Sequence, residues 1–216
     1  MYFLHLITGI FIGGGVFLIG VCMDFTVSKR EYDKFVSTKE GVNEYTLAQK
    51  STSLNLFVLT PIMYSAALQT VIVRDSKCFN VFSCIMFIFI HNFCYFFVHR
   101  LMHTNMYLYK YHKFHHRFDN NLIPSIGNAT SPQEFVLGHM IPVMISGYVV
   151  RLNESSFILM NYILPIFNMC LHCERFIRIR WIPGFVAPLQ HYEHHKNRTK
   201  HYSGPVIDYD WIFRKN

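Results

Sequence analysis

Residues 80–116 read NVFSCIMFIFIHNFCYFFVHRLMHTNMYLYKYHKFHH. The run from Asn80 to Val98 contains no charged side chain, and at about 1.5 Å per residue a helix of that length comes close to spanning the roughly 30 Å hydrocarbon core of a bilayer. It leads straight into His99-Arg100-Leu101-Met102-His103, and His112-Lys113-Phe114-His115-His116 follows nine residues later. Residues three and four apart on a helix share a face, so each group turns its imidazoles the same way. An apolar helix that delivers five histidines to its own mouth decides the fold class. The chain is expected to be all-α and polytopic, with a helical cap carrying the histidines.

The rest of the chain agrees. Tyr2 to Met23, Leu54 to Val73, Phe135 to Val150 and Ser156 to His172 are further apolar runs, the last two at the short end of what spans a bilayer. About four to five transmembrane or re-entrant helices follow. A cleaved leader competes for the first run, but it lacks a charged n-region and exceeds a usual h-region. Arg74-Asp75-Ser76-Lys77-Cys78-Phe79 is the turn of a transmembrane hairpin. Asp24 to Ser53 is polar and suits a solvated loop or surface helix, which divides the chain into an N-terminal span with its loop (1–53) and a membrane unit (54–216).

If all five runs cross, segments 24–53, 99–134 and 174–216 hold seventeen Lys/Arg, against three (Arg74, Lys77, Arg151) on the other side. The positive-inside rule then puts the histidine-bearing segments in the cytosol. Of the 216 residues 51% are hydrophobic and only 15% charged, which is too apolar for an ordinary soluble enzyme. The formal charge of +7 therefore suits anionic lipid headgroups, and nucleic acid is not an expected partner, because the aromatics lie within the spans instead of alternating with Arg and Lys.

Nine of the thirteen histidines are grouped. His191-Tyr192-Glu193-His194-His195 repeats the H-x-x-H-H spacing of His112 to His116, and His172 ends the last span one turn after Asn168. A lone histidine is usually just hydrogen-bonded, but three tight clusters at a membrane face point to metal ligation. The candidate ligands are His99, His103, His112, His115, His116, His172, His191, His194 and His195. They exceed the four ligands of a closed zinc site, so two ions with about four nitrogens each are implied, leaving open positions for oxygen. Iron fits a redox-cycling imidazole site, although the histidines alone leave zinc open.

No H-E-x-x-H is present, which argues against proteolysis. Glu193, Glu134, Asp210, Glu174, Asp119 and Asp208 are candidates to accept the outer ring N–H of ligating histidines. Asn168 could act through water. Cys170 and Cys173 form one C-x-x-C without a second thiol pair and read as small hydrophobes. The sequons at Asn128, Asn153 and Asn197 read as chance matches.

Tyr95-Phe-Phe-Val-His99-Arg100-Leu-Met-His103, Tyr109-Lys-Tyr-His112-Lys113-Phe-His115-His116 and Pro188-Leu-Gln-His191-Tyr-Glu-His194-His195 together resemble the boxes of the fatty acid hydroxylase and sterol desaturase superfamily. The resemblance covers about residues 80 to 213. Asp210-Trp211 reverses the family's closing W-D, Ser131 stands where many members carry a histidine, and Asn168 replaces the first histidine of a further H-x-x-x-H.

The resemblance implies two irons and dioxygen as co-substrate. It implies hydroxylation or desaturation of an unactivated C–H bond in a lipid drawn from the bilayer, such as a sterol or fatty acyl chain, and by analogy the endoplasmic reticulum. With no haem domain and no G-x-G-x-x-G motif in the chain, it also implies a separate electron donor, such as a cytochrome b5 or ferredoxin-type protein with its reductase. Three other readings compete. An inactive, lipid-binding scaffold is favoured by Ser131, Asn168 and the altered ending. A metal transporter would need carboxylates at bilayer depth that the expected spans lack. A haem protein would use His5, His91 or His139, which share no spacing and read better as packed or lipid-path histidines.

Overall fold

A computed structural model describes residues 2–73, 79–119 and 122–214. Five helices run end to end: α1 (Tyr2–Thr26), α3 (Lys39–Thr70), α4 (Val81–Thr104), α6 (132–150) and α7 (Glu154–Leu171). Short α2 (Lys29–Phe35), α5 (Met106–His112), α8 (Pro188–Asn197) and α9 (Tyr209–Ile212) build the cap. Four of the long helices, α1, α3, α4 and α7, are long and apolar enough to cross a membrane. The fifth, α6, carries Gln133, Glu134 and His139. It still runs the length of the bundle, because Glu134 bonds His112 at one end while Arg151, just past the other end, donates to the Thr70 carbonyl at 2.8 Å.

The expected boundary after Ser53 falls inside a continuous helix, since α3 begins at Lys39. The polar stretch expected as a loop or surface helix is helical and mostly exposed or half-buried, forming α2 and the first half of α3. Thr38 starts α3 by accepting the Gly41 N–H at 3.0 Å, and the Glu/Gln/Lys/Ala content of the next turns favours helix. Of the expected hairpin turn, residues 74–78 lie outside the described residues. Its flank is described: the Val73 N–H donates to the Leu152 carbonyl at 2.9 Å, tying the end of α3 to the α6–α7 turn.

Both α3 and α6 contain one widened turn, at Asn55–Leu59 and Val136–Met140. Each is followed within two residues by a proline, Pro61 or Pro142. Proline lacks an N–H and crowds the carbonyl four residues back, and a π-turn accommodates both defects without ending the helix. The Asn55 side-chain amide donates to the Thr130 carbonyl at 2.9 Å, fixing the entry to α6.

The core joins all five long helices through Ile12, Met63, Tyr64, Phe87, Val143, Phe157, Met160 and Leu164. At Gly13, a Cβ would stand 1.9 Å from the Leu56 carbonyl oxygen, so α1 and α3 approach as closely as they do only because that side chain is absent. The C-terminal segment lies over α4. The Asn92 side-chain oxygen accepts the Val206 and Ile207 N–H groups at 2.8 and 2.9 Å, and Phe96, Ile207 and Tyr209 pack together.

Candidate metal centre

The four groups of histidines arrive on separate elements. His99 and His103 occupy the last turns of α4, which continues past the apolar run as expected. Asn105 then caps α5, its side chain accepting the Tyr107 N–H at 2.9 Å, and α5 with the following 3₁₀ turn carries His112, His115 and His116. His172 closes α7. His191, His194 and His195 lie on α8, opened by Pro188 and steadied by Gln190, which accepts the Ala187 N–H at 2.8 Å.

All nine rings converge, in two clusters: His99, His103, His112, His116 and His194 in one, His115, His172, His191 and His195 in the other. Eight of the nine are buried, His103 being half-buried. The boxes are interleaved, because His115 and His194, three residues after His112 and His191, each face the cluster that the rest of their box does not.

In the first cluster the Nε2 atoms of His99 and His112 are 3.0 Å apart, those of His103 and His112 2.9 Å, those of His112 and His116 3.0 Å, and those of His103 and His116 3.2 Å. A neutral imidazole has one N–H. On these rings Nδ1 holds it: His99 donates to the Tyr202 carbonyl at 2.8 Å, His112 to Glu134 at 2.6 Å, and His116 to Asp119 at 3.0 Å. The Nε2 lone pairs therefore face one another, which is repulsive unless a cation sits among them.

The second cluster repeats this arrangement. His172 Nε2 lies 3.0 Å from the Nε2 atoms of His191 and His195, and His191 and His195 are 3.1 Å apart. His172 Nδ1 donates to the Asn168 carbonyl at 2.8 Å and His195 Nδ1 to Asp119 at 2.6 Å. With metal–nitrogen bonds of about 2.1 Å, neighbours at right angles stand about 3.0 Å apart and tetrahedral neighbours about 3.4 Å apart. The closer pairs fit right-angled neighbours, while His115 and His172, 3.4 Å apart, fit the tetrahedral spacing; a six-coordinate ion would keep one position open beyond the five histidines of the first cluster and two beyond the four of the second.

Burial keeps the rings neutral, as ligation requires. It holds His112, His116, His191 and His195 well below the ordinary imidazole value, and lowers His115 to about 4 and His172 and His194 to about 3. Burial also pushes Glu134 well above the usual carboxylate range and Asp119 up to about 6, the latter against the pull of Arg198. A cation at the clusters would favour the ionised carboxylates.

Of the expected ring partners, Glu134 and Asp119 hold histidines. Asp119 does so in both clusters, one oxygen serving His116 and His195 and the other accepting from Arg198 at 2.6 Å. The remaining acids do not. Glu193 pairs with Lys200 at 2.6 Å and with His201, because its place on α8 turns it away from the face of His191, His194 and His195. Asp210 bonds the Ser203 N–H and hydroxyl, both at 2.8 Å, Asp208 caps α9 and accepts from Gln190, and Glu174 is exposed.

The Asn168 amide donates to the Gly127 carbonyl at 2.6 Å, holding the 124–128 turn against α7. A Cβ on Gly127 would stand 2.6 Å from His172 Nδ1, so that ring needs a glycine beside it. Ser131, at the departure from the resembled motif, caps α6 by accepting the Glu134 N–H at 3.2 Å. The partners missed in the sequence are the carbonyls of Tyr202, Ala129, Asn168 and Lys200. Cys170 and Cys173 are unpaired, and neither they nor His5, His91 and His139 join a cluster.

Four helices long and apolar enough to cross a membrane, a fifth packed among them, and nine imidazoles gathered at one end in two arrays that could hold metal define a histidine-cluster membrane protein. The family model described as fatty acid hydroxylase matches residues 84–215, and the chain belongs to that family. The match takes in every histidine of both clusters. No curated protein and no solved structure matches the chain.

Proposed function

We propose that this protein is a di-iron, dioxygen-dependent enzyme that hydroxylates or desaturates an unactivated C–H bond of a membrane lipid. The observation that carries the reading is the pair of converging Nε2 arrays: nine histidines exceed what two closed four-ligand zinc sites would take, and most of their spacings suit six-coordinate iron with a position open. Iron bound there supplies the redox chemistry that activates dioxygen. The chain's own part is to hold the rings and keep water out. Glu134 and Asp119 fix His112, His116 and His195 as Nδ1–H tautomers with Nε2 free, and four backbone carbonyls do the same for His99, His115, His172 and His194.

A narrow cavity, about 910 Å³ including its open mouth, reaches the clusters at His99 and His115, between walls that include Ile12, Val16, Leu56, Met102 and Leu164. It is suited to a lipid chain from the bilayer, and the apolar side chains of its lining help keep the reacting carbon dry. On the opposite side Lys110, Lys113, Arg117, Lys196 and Arg198 surround His116 and His195. This basic rim would receive an acidic electron donor of the cytochrome b5 or ferredoxin type, with its reductase. The positive-inside bias supports a cytosolic orientation, and the endoplasmic reticulum is assigned by analogy with the family.

The test is to purify the protein with iron, count metals per chain, and supply labelled lipid, dioxygen and reductant. Two irons and a hydroxylated or desaturated product are expected, with turnover through a protein donor falling as salt rises. Zinc occupancy, or iron without product in any lipid class, would refute the reading.

A further inference from the structure

The cavity that meets the clusters extends toward the middle of α4, and its wall there carries polar atoms with nothing to bond. His91 and Asn161 both line it, and they are 2% and 3% exposed. Both ring nitrogens of His91 and the side-chain oxygen of Asn161 are buried without a hydrogen-bond partner. The Asn161 amide is already committed to the Phe157 carbonyl at 2.8 Å. His139, in the widened turn of α6, also lines the cavity and meets the His91 ring edge-on at 5.9 Å. None of these residues takes part in either metal cluster. An unbonded imidazole in the middle of a membrane-spanning helix is costly to keep, and it marks a place where something polar arrives.

The donors and acceptors left open restrict what that is. A neutral imidazole offers one N–H and one lone pair, and the Asn161 oxygen offers a second acceptor. A hydroxyl can accept the His91 N–H and donate its one hydrogen to the Asn161 oxygen, which leaves a single ring nitrogen unmet. A ketone or ester carbonyl only accepts and would leave both acceptors unmet. A carboxylate or phosphate also only accepts, and it carries charge to a depth where no Lys or Arg lines the cavity, while the one acid there, Glu134, bonds His112 through Oε1 and leaves Oε2 as a further unmet acceptor.

Distance adds a second restriction. His91 and His99 are eight residues apart on α4, which is about 12 Å along the helix axis. Tyr95 lies between them and lines the same cavity, its ring 6.5 Å from that of His91 and 5.1 Å from that of His99.

We propose that His91 and Asn161 receive the hydroxyl of an alcohol-type lipid, a sterol or a long-chain alcohol, that enters hydroxyl first. The carbon presented to the clusters then lies about 12 Å from that hydroxyl, remote from it along the molecule. The position of attack rests on the oxygenase reading above; the binding preference does not.

The experiment measures binding to the metal-loaded full chain in nanodiscs. The probes are cholesterol against 5-cholestene, and 1-hexadecanol against hexadecane and palmitate. At least one alcohol is expected to bind about tenfold or more tighter than its hydrocarbon, and hexadecanol tighter than palmitate, because a site built for a hydroxyl rejects the analogue lacking it. The cholesterol and hexadecanol arms separate sterol from linear alcohol.

His91→Phe and Asn161→Leu should each remove most of that preference while hydrocarbon binding and metal content stay unchanged. His91→Gln, which keeps a donor and an acceptor, should retain part of it. If His91→Phe does not accumulate, Asn161→Leu and His91→Gln carry the comparison. Equal binding of alcohol and hydrocarbon by the unmodified protein, tighter binding of palmitate, or a preference that survives Asn161→Leu and His91→Phe would overturn the proposal. Alcohol preference without turnover would sink the oxygenase reading alone, and turnover without alcohol preference would sink this one alone.

Discussion

Replacing Asp119 should empty both metal sites at once. Its Oδ1 accepts from His116 in the first cluster at 3.0 Å and from His195 in the second at 2.6 Å, while Oδ2 takes Arg198 at 2.6 Å. Removing the carboxylate that orients a ligating ring typically costs about 10–100-fold in metal affinity, or about 1.4–2.7 kcal/mol. Asp119→Asn keeps one acceptor oxygen but loses the charge and turns an N–H₂ toward a ring N–H or toward Arg198, so about tenfold at each site is expected. Asp119→Ala leaves two buried ring N–H groups unmet and should approach the upper end of that range. The assay is metal content per chain during titration with a chelator, read separately for the two ions. Glu134→Gln is the control, because Glu134 touches His112 alone; it should weaken the first site and spare the second. Loss of one ion only from Asp119→Ala, or equal loss of both from Glu134→Gln, would refute the bridging role.

Three other outcomes follow from the same geometry. Gly127→Ala, whose new Cβ would sit 2.6 Å from His172 Nδ1, should displace that ring and lower occupancy of the four-histidine cluster before the five-histidine one, checked by the same titration. His115→Ala should abolish the change in host lipid profile that expression of the protein produces, read by mass spectrometry, and an unchanged profile would remove the catalytic claim. Acid should destabilise the metal-free protein. His115, His172 and His194 sit at about 4, 3 and 3 when folded, below the ordinary 6.5, so the unfolded chain binds more protons between those values. Their contribution is fully present above about pH 6.5 and is lost as pH falls toward 4 and then 3, by a few kcal/mol per ring, which thermal unfolding of apoprotein across that range would measure.

The sequence carried the histidines and the spans well because both are written in side chains. His99 and His103 four apart at the end of an uncharged run could only be two rings on one face at a membrane mouth. What spacing does not encode is the partner. The H-x-x-H-H boxes fixed which rings share a face, yet whether His115 and His194 serve their own box's ion or the neighbouring one depends on how α5, α7 and α8 pack, and no local pattern states that. Glu193, flanked by ligand histidines, was the natural candidate to hold a ring. At about 100° per residue a position two after His191 points away from it, so the argument from adjacency failed where the helical wheel would have succeeded. The carbonyls of Tyr202 and Lys200 left no trace, because every residue has one.

The interleaving also bears on how the two sites relate. His112 and His116 bind into one cluster and His115 into the other, all within one turn and a half of chain, and α8 makes the same division with His194 against His191 and His195. Asp119 then clamps a ring from each cluster with a single oxygen. The separation between the two clusters is therefore set by two short elements instead of by the longer connections between boxes. The first cluster draws its remaining order from the C-terminal segment, through the Tyr202 carbonyl on His99 and the Lys200 carbonyl on His194. That segment is in turn anchored to α4 by Asn92, one residue from His91 on the cavity wall. One helix thus carries histidines of the first cluster, cavity lining and the anchor of the C-terminal segment, whereas the four-histidine cluster takes no ring from it.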